Sequence, residues 1–402
     1  MTENEANSEA AGGPTARPWR VVVTGATGFI GSAVVRELLR TEPGSSPRPL
    51  QIRATSRKPS ATPDENSPAP VPAPAATSGG QSAPGSRTAL DAAGVPNAPE
   101  APRIDWVRAD LADPATLRGL CADADVLLHL ASDIGRDEDR CELVNVRGTA
   151  ALVDEAVRAG VGRIVHLSTA AVYGAGPHSG PGVDEIPPAP VSAASRTRLA
   201  AEQPVLAAGG TVLRPGLVLG VGDRWVVPAL AELLGRVPAR WDGGRGLLSV
   251  VAVEDLARLF VRLALAPDGI PGGVQHASHP TPVSNGDLMD TLLTHGAFPD
   301  GLPGLAGLPG LTSITSSSDS PGRPRLSDLP DLSWDDCLQR LEATPGRVSE
   351  RQFALLARDH WYRSDEVWTA AGCDPGPGPL VRLAEAADWY RSHLGARLQT
   401  HA

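Results

Sequence analysis

Along the first forty residues the hydrophobic pattern changes period once. Val21, Val22, Val23 and Thr24 form an unbroken apolar and β-branched run, and apolar residues then return at Ile30, Val34, Leu38 and Leu39. The first spacing predicts a buried strand and the second an amphipathic helix, with a glycine-rich turn between them. The alternation continues downstream. LQIRATS (50–56) reads as a second strand, and RIDWVRADLADPATLRGL as a strand, an acidic turn and a helix. ADVLLHLAS is a fourth strand, NVRGTAALVDEAVRAG a helix, RIVHLSTAAVYG a fifth strand with its exit loop, Ser195–Ala208 a helix and GTVLRPGLVLG a strand. Strands alternating with helices at this spacing specify a parallel sheet covered on both faces, a Rossmann-type doubly wound α/β fold.

Between Pro59 and Pro102 the pattern stops in a proline-rich, low-complexity stretch, read as a disordered insertion, and it resumes cleanly afterwards. A second flexible insertion is expected near 300–325. Residues after Gly222 are more irregular, although LLSVVAVEDLARLFVRLAL gives a strand, a turn and a helix. The tail pieces DDCLQRLEA, SERQFALLARDHWY and LVRLAEAADWYRSHL are helix-compatible. The expected organisation is a disordered tail over 1–18, a dinucleotide-binding domain over 19–222 and a smaller C-terminal substrate-binding lobe over 223–402. Residues 250–266 are expected to return to the first domain.

Composition narrows the function classes. A formal charge of −10 over 402 residues, with no basic run, argues against a nucleic-acid surface. No stretch of about 18 apolar residues is present to span a bilayer, and the polar opening lacks the apolar core of a signal peptide. Cys121, Cys141, Cys337 and Cys373 have neither metal-ligand nor disulfide-framework spacing, so a cytoplasmic setting is expected.

The turn TGATGFIG supplies Gly25, Thr27, Gly28, Phe29, Ile30 and Gly31 between a strand and a helix. There the backbone can approach a pyrophosphate and the helix amino terminus offers unpaired N–H donors. Asp110, followed by Leu111, ends the third strand. Its carboxylate either accepts from an adenine amino group or caps the helix beginning near Pro114. At the end of the second strand, ATSRKPS has no acid for a ribose diol and offers Arg57 and, less favourably, Lys58. A guanidinium beside a ribose 2′-phosphate binds in bidentate fashion, so NADP(H) is the expected cofactor.

These pieces resemble the extended short-chain dehydrogenase/reductase family of sugar-nucleotide epimerases, dehydratases and dihydroflavonol-type reductases. The motifs TGATGFIG, RADL, HLAS, NVRGT, LSTAAVYG, LRPGLVLG and VAVEDLA stand in family order from Arg20 to about Ala266. The resemblance implies that His129, Leu130 and Ala131 line the cofactor and that Asn145 supports the site. It places Arg214, Pro215 and Val218 beside the nicotinamide and the substrate entrance. It also implies a homodimer built from the helices around Asn145–Ala159 and Ser195–Ala208.

The family works with a hydroxyl residue, a tyrosine and a lysine. Thr169 matches the hydroxyl, but the tyrosine position is Ala194 and the lysine position is Arg198. Arg198 can still donate to the nicotinamide ribose. Oxidation of an alcohol needs a base that Ala194 cannot supply, whereas reduction needs only a carbonyl held by Thr169 and a proton. Losing one general acid costs on the order of 10²–10⁴ in rate. His178, in the loop after Thr169, is a candidate donor or a solvent-facing loop residue. Asp133 could order a water, and Ser192 and Ser195 flank the vacant position. The expected function is an NADPH-dependent ketoreductase that reduces a carbonyl of a bulky, aromatic polyketide-type secondary metabolite by direct hydride transfer, without a tyrosine acid. A sugar-nucleotide reductase or epimerase relative, with Arg236, Arg240 and Arg245 as phosphate partners, and a non-catalytic cofactor-binding protein are the alternatives.

Overall fold

The computed structural model describes residues 17–42, 48–58, 101–266, 272–299 and 325–399. Most of the expected tail and both expected insertions lie outside these residues. The first unit is a seven-stranded sheet. Its strands are β1 (Trp19–Thr24), β2 (Leu50–Ser56), β3 (Arg103–Arg108), β4 (Val126–His129), β5 (Arg163–Leu167), β6 (Thr211–Arg214) and β7 (Gly273–His276). They lie in the order β7-β6-β5-β4-β1-β2-β3, and every neighbouring pair is parallel. Helices α1 (Phe29–Leu39), α2 (Thr149–Arg158), α3 (Ala193–Ala207), α4 (Val226–Arg236) and α5 (Val253–Leu265) complete the frame.

Strand alternation divides the core into two layers. Val21 and Val23 of β1 and Val126 and Leu128 of β4 pack with Val34 and Leu38 of α1 and Leu256 and Phe260 of α5. Val22 and Leu127 point the other way, onto Leu152 of α2 and Val205 of α3. The near-continuous apolar runs of these strands follow from burial on both faces. A separate core joins α4, through Leu230 and Leu234, to Trp241, Phe353 and Tyr390 of the C-terminal lobe. No helix of the described residues is long and apolar enough to cross a membrane.

Several local expectations change. The stretch GTVLRPGLVLG divides at Pro215 into β6 and a separate strand, Leu217–Leu219, that pairs with Val250–Ala252 in another sheet. Residues Pro114–Leu117 form a single 3-10 turn where a helix was expected. SERQFALLARDHWY is helical only over Glu350–Ala357, after which His360–Trp361 pairs with Leu247–Leu248 and with His178–Ser179. The edge strand β7 was not expected, and Val367, Trp368 and Cys373 from the tail also pack into the first core.

Candidate active site

Strand order reverses between β1 and β4, and a ligand crevice forms where such a reversal leaves the carboxyl ends of two strands diverging. A cleft of about 450 Å³ opens there. Gly25 carries φ +70°, and a Cβ on it would lie 2.7 Å from the Ala131 nitrogen. A Cβ on Gly31 would lie 2.0 Å from the Gly25 carbonyl oxygen, so only glycine lets the first turn of α1 close on the loop. Gly28 is the N-cap of α1, with no side-chain cap and no acid in the first turn, which leaves the helix terminus able to receive an anion.

The cleft brings together Gly25, Thr27, Gly28, Arg57, Asp110, Leu111, Leu130 and Ala131 from the expected set. Phe29, Ile30 and Gly31 form the first turn of α1 behind the lining, and Lys58 is exposed beyond the rim. Asp113, and not Asp110, caps the 3-10 turn, accepting from the Ala115 N–H at 3.2 Å. Asp110 spends one oxygen on the Ala112 N–H at 3.0 Å and faces the cleft. His129 is buried in the core instead of lining the cleft. Its Nδ1 meets the Thr24 hydroxyl at 2.7 Å and its Nε2 the Thr149 hydroxyl at 2.9 Å. Burial, with the Arg198 charge nearby, depresses its pKa to about 3.

Sequence reasoning missed Thr55, Ser132, Arg140 and Trp225 in the cleft wall. Trp225 comes from the start of α4 and carries no motif that would have marked it. Asp133, weighed as a water ligand, is instead held by its neighbours. Asn145 accepts from its N–H at 2.7 Å and donates to its carbonyl at 2.8 Å, and Arg140 Nε donates to its carboxylate at 2.8 Å.

The residues expected to act on substrate stand outside that lining, at the carboxyl end of β5. Thr169 is half-buried, and its hydroxyl oxygen accepts from the Ala171 N–H at 3.2 Å. Arg198, on α3, turns inward: its Nη2 donates to the carbonyls of Leu167 at 3.0 Å and Ser168 at 2.6 Å. Burial lowers its pKa to about 10, with Glu202 opposing, so it stays a cation at neutrality. Ala194 occupies the first turn of α3, and Ser192 and Ser195 flank it in a reciprocal capping box that engages both hydroxyls. Pro215 accepts from the Ala170 N–H at 2.8 Å and steadies the same loop.

Beneath this edge, Arg214 donates from Nε and Nη2 to the buried Glu202 carboxylate at 3.0 and 2.5 Å. The Ser168 hydroxyl also donates to Glu202. Arg214 Nη1 reaches the Tyr173 hydroxyl at 2.8 Å, which meets His276 Nε2 at 2.7 Å. His178 is half-buried, its Nδ1 paired with the Tyr362 hydroxyl at 2.9 Å. Burial first, then the neighbouring His360, lowers its pKa and holds the imidazole neutral. The arrangement is a glycine-lined cleft at a helix terminus with, beyond its lining, the Thr169 hydroxyl, the half-buried Arg198 cation and Ala194.

A family model described as "NAD dependent epimerase/dehydratase family" matches residues 21–275. Among curated proteins the chain is 33% identical over 208 residues to the 2-alkyl-3-oxoalkanoate reductase of Stenotrophomonas maltophilia, covering 47% of this chain. The match spans only 62% of that relative's own length. It is 30% identical over 291 residues to the dTDP-glucose 4,6-dehydratase of Streptomyces antibioticus, covering 68% of this chain and 76% of that one. The solved structure of MoeE5 with UDP-glucuronic acid and NAD superposes with TM-score 0.56 at 22% identity, covering 93% of this chain and 100% of MoeE5.

The expectation of NADP(H) is corrected by these comparisons, because the solved structures sharing this fold hold NAD, MoeE5 and the DesIV dehydratase of Streptomyces venezuelae among them. The physical reason lies at the rim of the cleft. Arg57 is exposed there, and a guanidinium donates to ribose hydroxyls as well as to phosphate oxygens, so a missing acid does not specify a 2′-phosphate. With the fold, the glycine loop and a family match over more than half its length, the chain belongs to the NAD dependent epimerase/dehydratase family.

Proposed function

We propose that the chain is an NAD(H)-dependent reductase acting on the carbonyl of a nucleotide-linked sugar or a small molecule of similar size. The observation that carries this reading is Ala194 in the first turn of α3, beside an otherwise complete hydroxyl-and-cation edge. Bound NADH supplies a hydride to the carbonyl carbon. The Thr169 hydroxyl accepts from the Ala171 N–H, which leaves its own proton to donate to the carbonyl oxygen. Arg198 has no carboxylate hydrogen-bonded to it and lies behind the Ser168 carbonyl, so its charge favours negative charge developing on that oxygen. The new alkoxide takes its proton from water, since positions 170, 171 and 194 are all alanine. By microscopic reversibility the missing side chain slows the reverse oxidation equally, and the alcohol accumulates because the equilibrium of ketone, NADH and a proton lies towards it near neutrality.

The dehydratase and MoeE5 favour nucleotide-linked substrates. A second reading, a free ketone, is favoured by the oxoalkanoate reductase. Both are tested by following NADH absorbance at 340 nm with nucleotide-linked ketosugars, β-keto acids and a bulky aryl ketone. Consumption with the first group supports the proposal, consumption restricted to ketones moves it to the second reading, and NADH binding without turnover of any carbonyl overturns both. All four cysteines are free and buried, and on that basis we assign the chain to the cytoplasm.

A further inference from the structure

On the far side of Trp225 from the cofactor cleft lies a second groove of about 610 Å³, between α4, the loop 344–348 and the last helix, Ala387–Gln399. Its wall is pre-built. Arg236 donates to the carbonyls of Leu341 at 2.8 Å, Thr344 at 2.6 Å and Val348 at 2.6 Å, while Glu232 accepts from the N–H groups of Arg347 at 2.6 Å and Val348 at 2.7 Å. The interior surface is aliphatic, from Pro228, Ala229, Ala231, Pro345, Val348 and Leu394. The charged lining is five arginines, Arg136, Arg224, Arg236, Arg347 and Arg397, against the single Glu232. That is a local reversal in a chain of net charge −10. Arg136 and Arg224 are exposed, and neither has a hydrogen-bond or ion-pair partner among the described residues. Trp225 is 66% exposed and lines both this groove and the cofactor cleft.

We propose that this groove is a second ligand site, taking an aliphatic chain that ends in a carboxylate, and that it is coupled to the cofactor cleft through Trp225. The aliphatic interior receives the chain, and Arg136 and Arg224 receive the anion as charge-assisted donors. An occupant packs against one face of Trp225 and fixes a wall of the cleft that is otherwise exposed to solvent. Dinucleotide then binds to a wall already ordered, which makes the coupling positive and reciprocal. The site stands apart from the catalytic reading, because its readout is NAD affinity and not turnover.

The test is calorimetric titration of the full chain with decanoate below its micelle concentration, with and without NAD. Decanoate should bind, decanol should bind about tenfold more weakly or worse, and saturating decanoate should tighten NAD by about fivefold or more. Arg136→Ala with Arg224→Ala should weaken decanoate about tenfold or more and leave NAD affinity without decanoate unchanged. A second variant, Trp225→Leu, should keep decanoate binding while abolishing its effect on NAD. No binding, equal binding of decanol, binding of dTMP at least as tight as decanoate, or an NAD affinity unmoved or weakened by decanoate overturns the proposal.

Discussion

At the scale of single residues the proposed chemistry rests on Thr169 and Arg198. Thr169→Val should lower turnover by about 10²–10³, the cost of losing one donor to a developing oxyanion, with NAD affinity unchanged. Equal loss of affinity and turnover would show that the residue only supports the loop. Histidines supply a second residue-scale prediction. Burial depresses His129 to about 3 and His276 to about 4, and lowers His178. The folded state therefore binds fewer protons than the unfolded chain once pH drops below the ordinary histidine range near 6.5. Stability is fully present above that pH and is lost as pH falls, by up to about 1.4 kcal/mol per pH unit for each such histidine. Urea midpoints should decline from pH 7 to pH 5, before most carboxylates titrate, and a flat profile would contradict the buried neutral imidazoles.

Elements with strong periodicity were legible, and those decided by distant partners were not. The run Val21–Thr24 and the spacing Ile30, Val34, Leu38 announced β1 and α1, because both local propensity and burial agree there. Helix α4 falls in the stretch after Gly222 read as irregular, and its Pro228 sits in the first turn, where a missing N–H costs little. His360–Trp361 became a strand only because Leu247–Leu248 and His178–Ser179 lie beside it, information that no local window holds. The glycine loop was legible as chemistry because its constraint is local: Gly31 has no room for a side chain. Gly31→Ala should cost about 1–3 kcal/mol of stability through overpacking and weaken NAD sharply. Thermal unfolding and an NAD titration check both effects, and an unchanged melting temperature with normal NAD affinity would contradict the closure described.

For the whole molecule, the parallel sheet delivers the ends of β1, β2, β3 and β4 to one cleft and leaves the end of β5 outside its lining. Family motifs made that plan readable from the sequence. The cofactor's identity was not, since one exposed arginine can donate to a diol or to a phosphate. Helices α2 and α3 pack on one another and leave outward positions such as Val157 59% exposed. On that surface a homodimer is expected, with light scattering at tens of micromolar returning twice the chain mass. A monomer mass there would contradict it.

In the proposed reading a site with alanine at position 194 still transfers hydride to a carbonyl held by Thr169. It is tested most directly by mixing the full chain with NADH and a nucleotide-linked ketosugar and recording absorbance at 340 nm, beside the same mixture run from alcohol and NAD. Steady NADH loss is expected, lowered about 10²–10³-fold by Thr169→Val, with slower NADH formation in reverse as the equilibrium requires. Tight NADH binding with no loss of absorbance for any carbonyl, or a rate untouched by Thr169→Val, would contradict it.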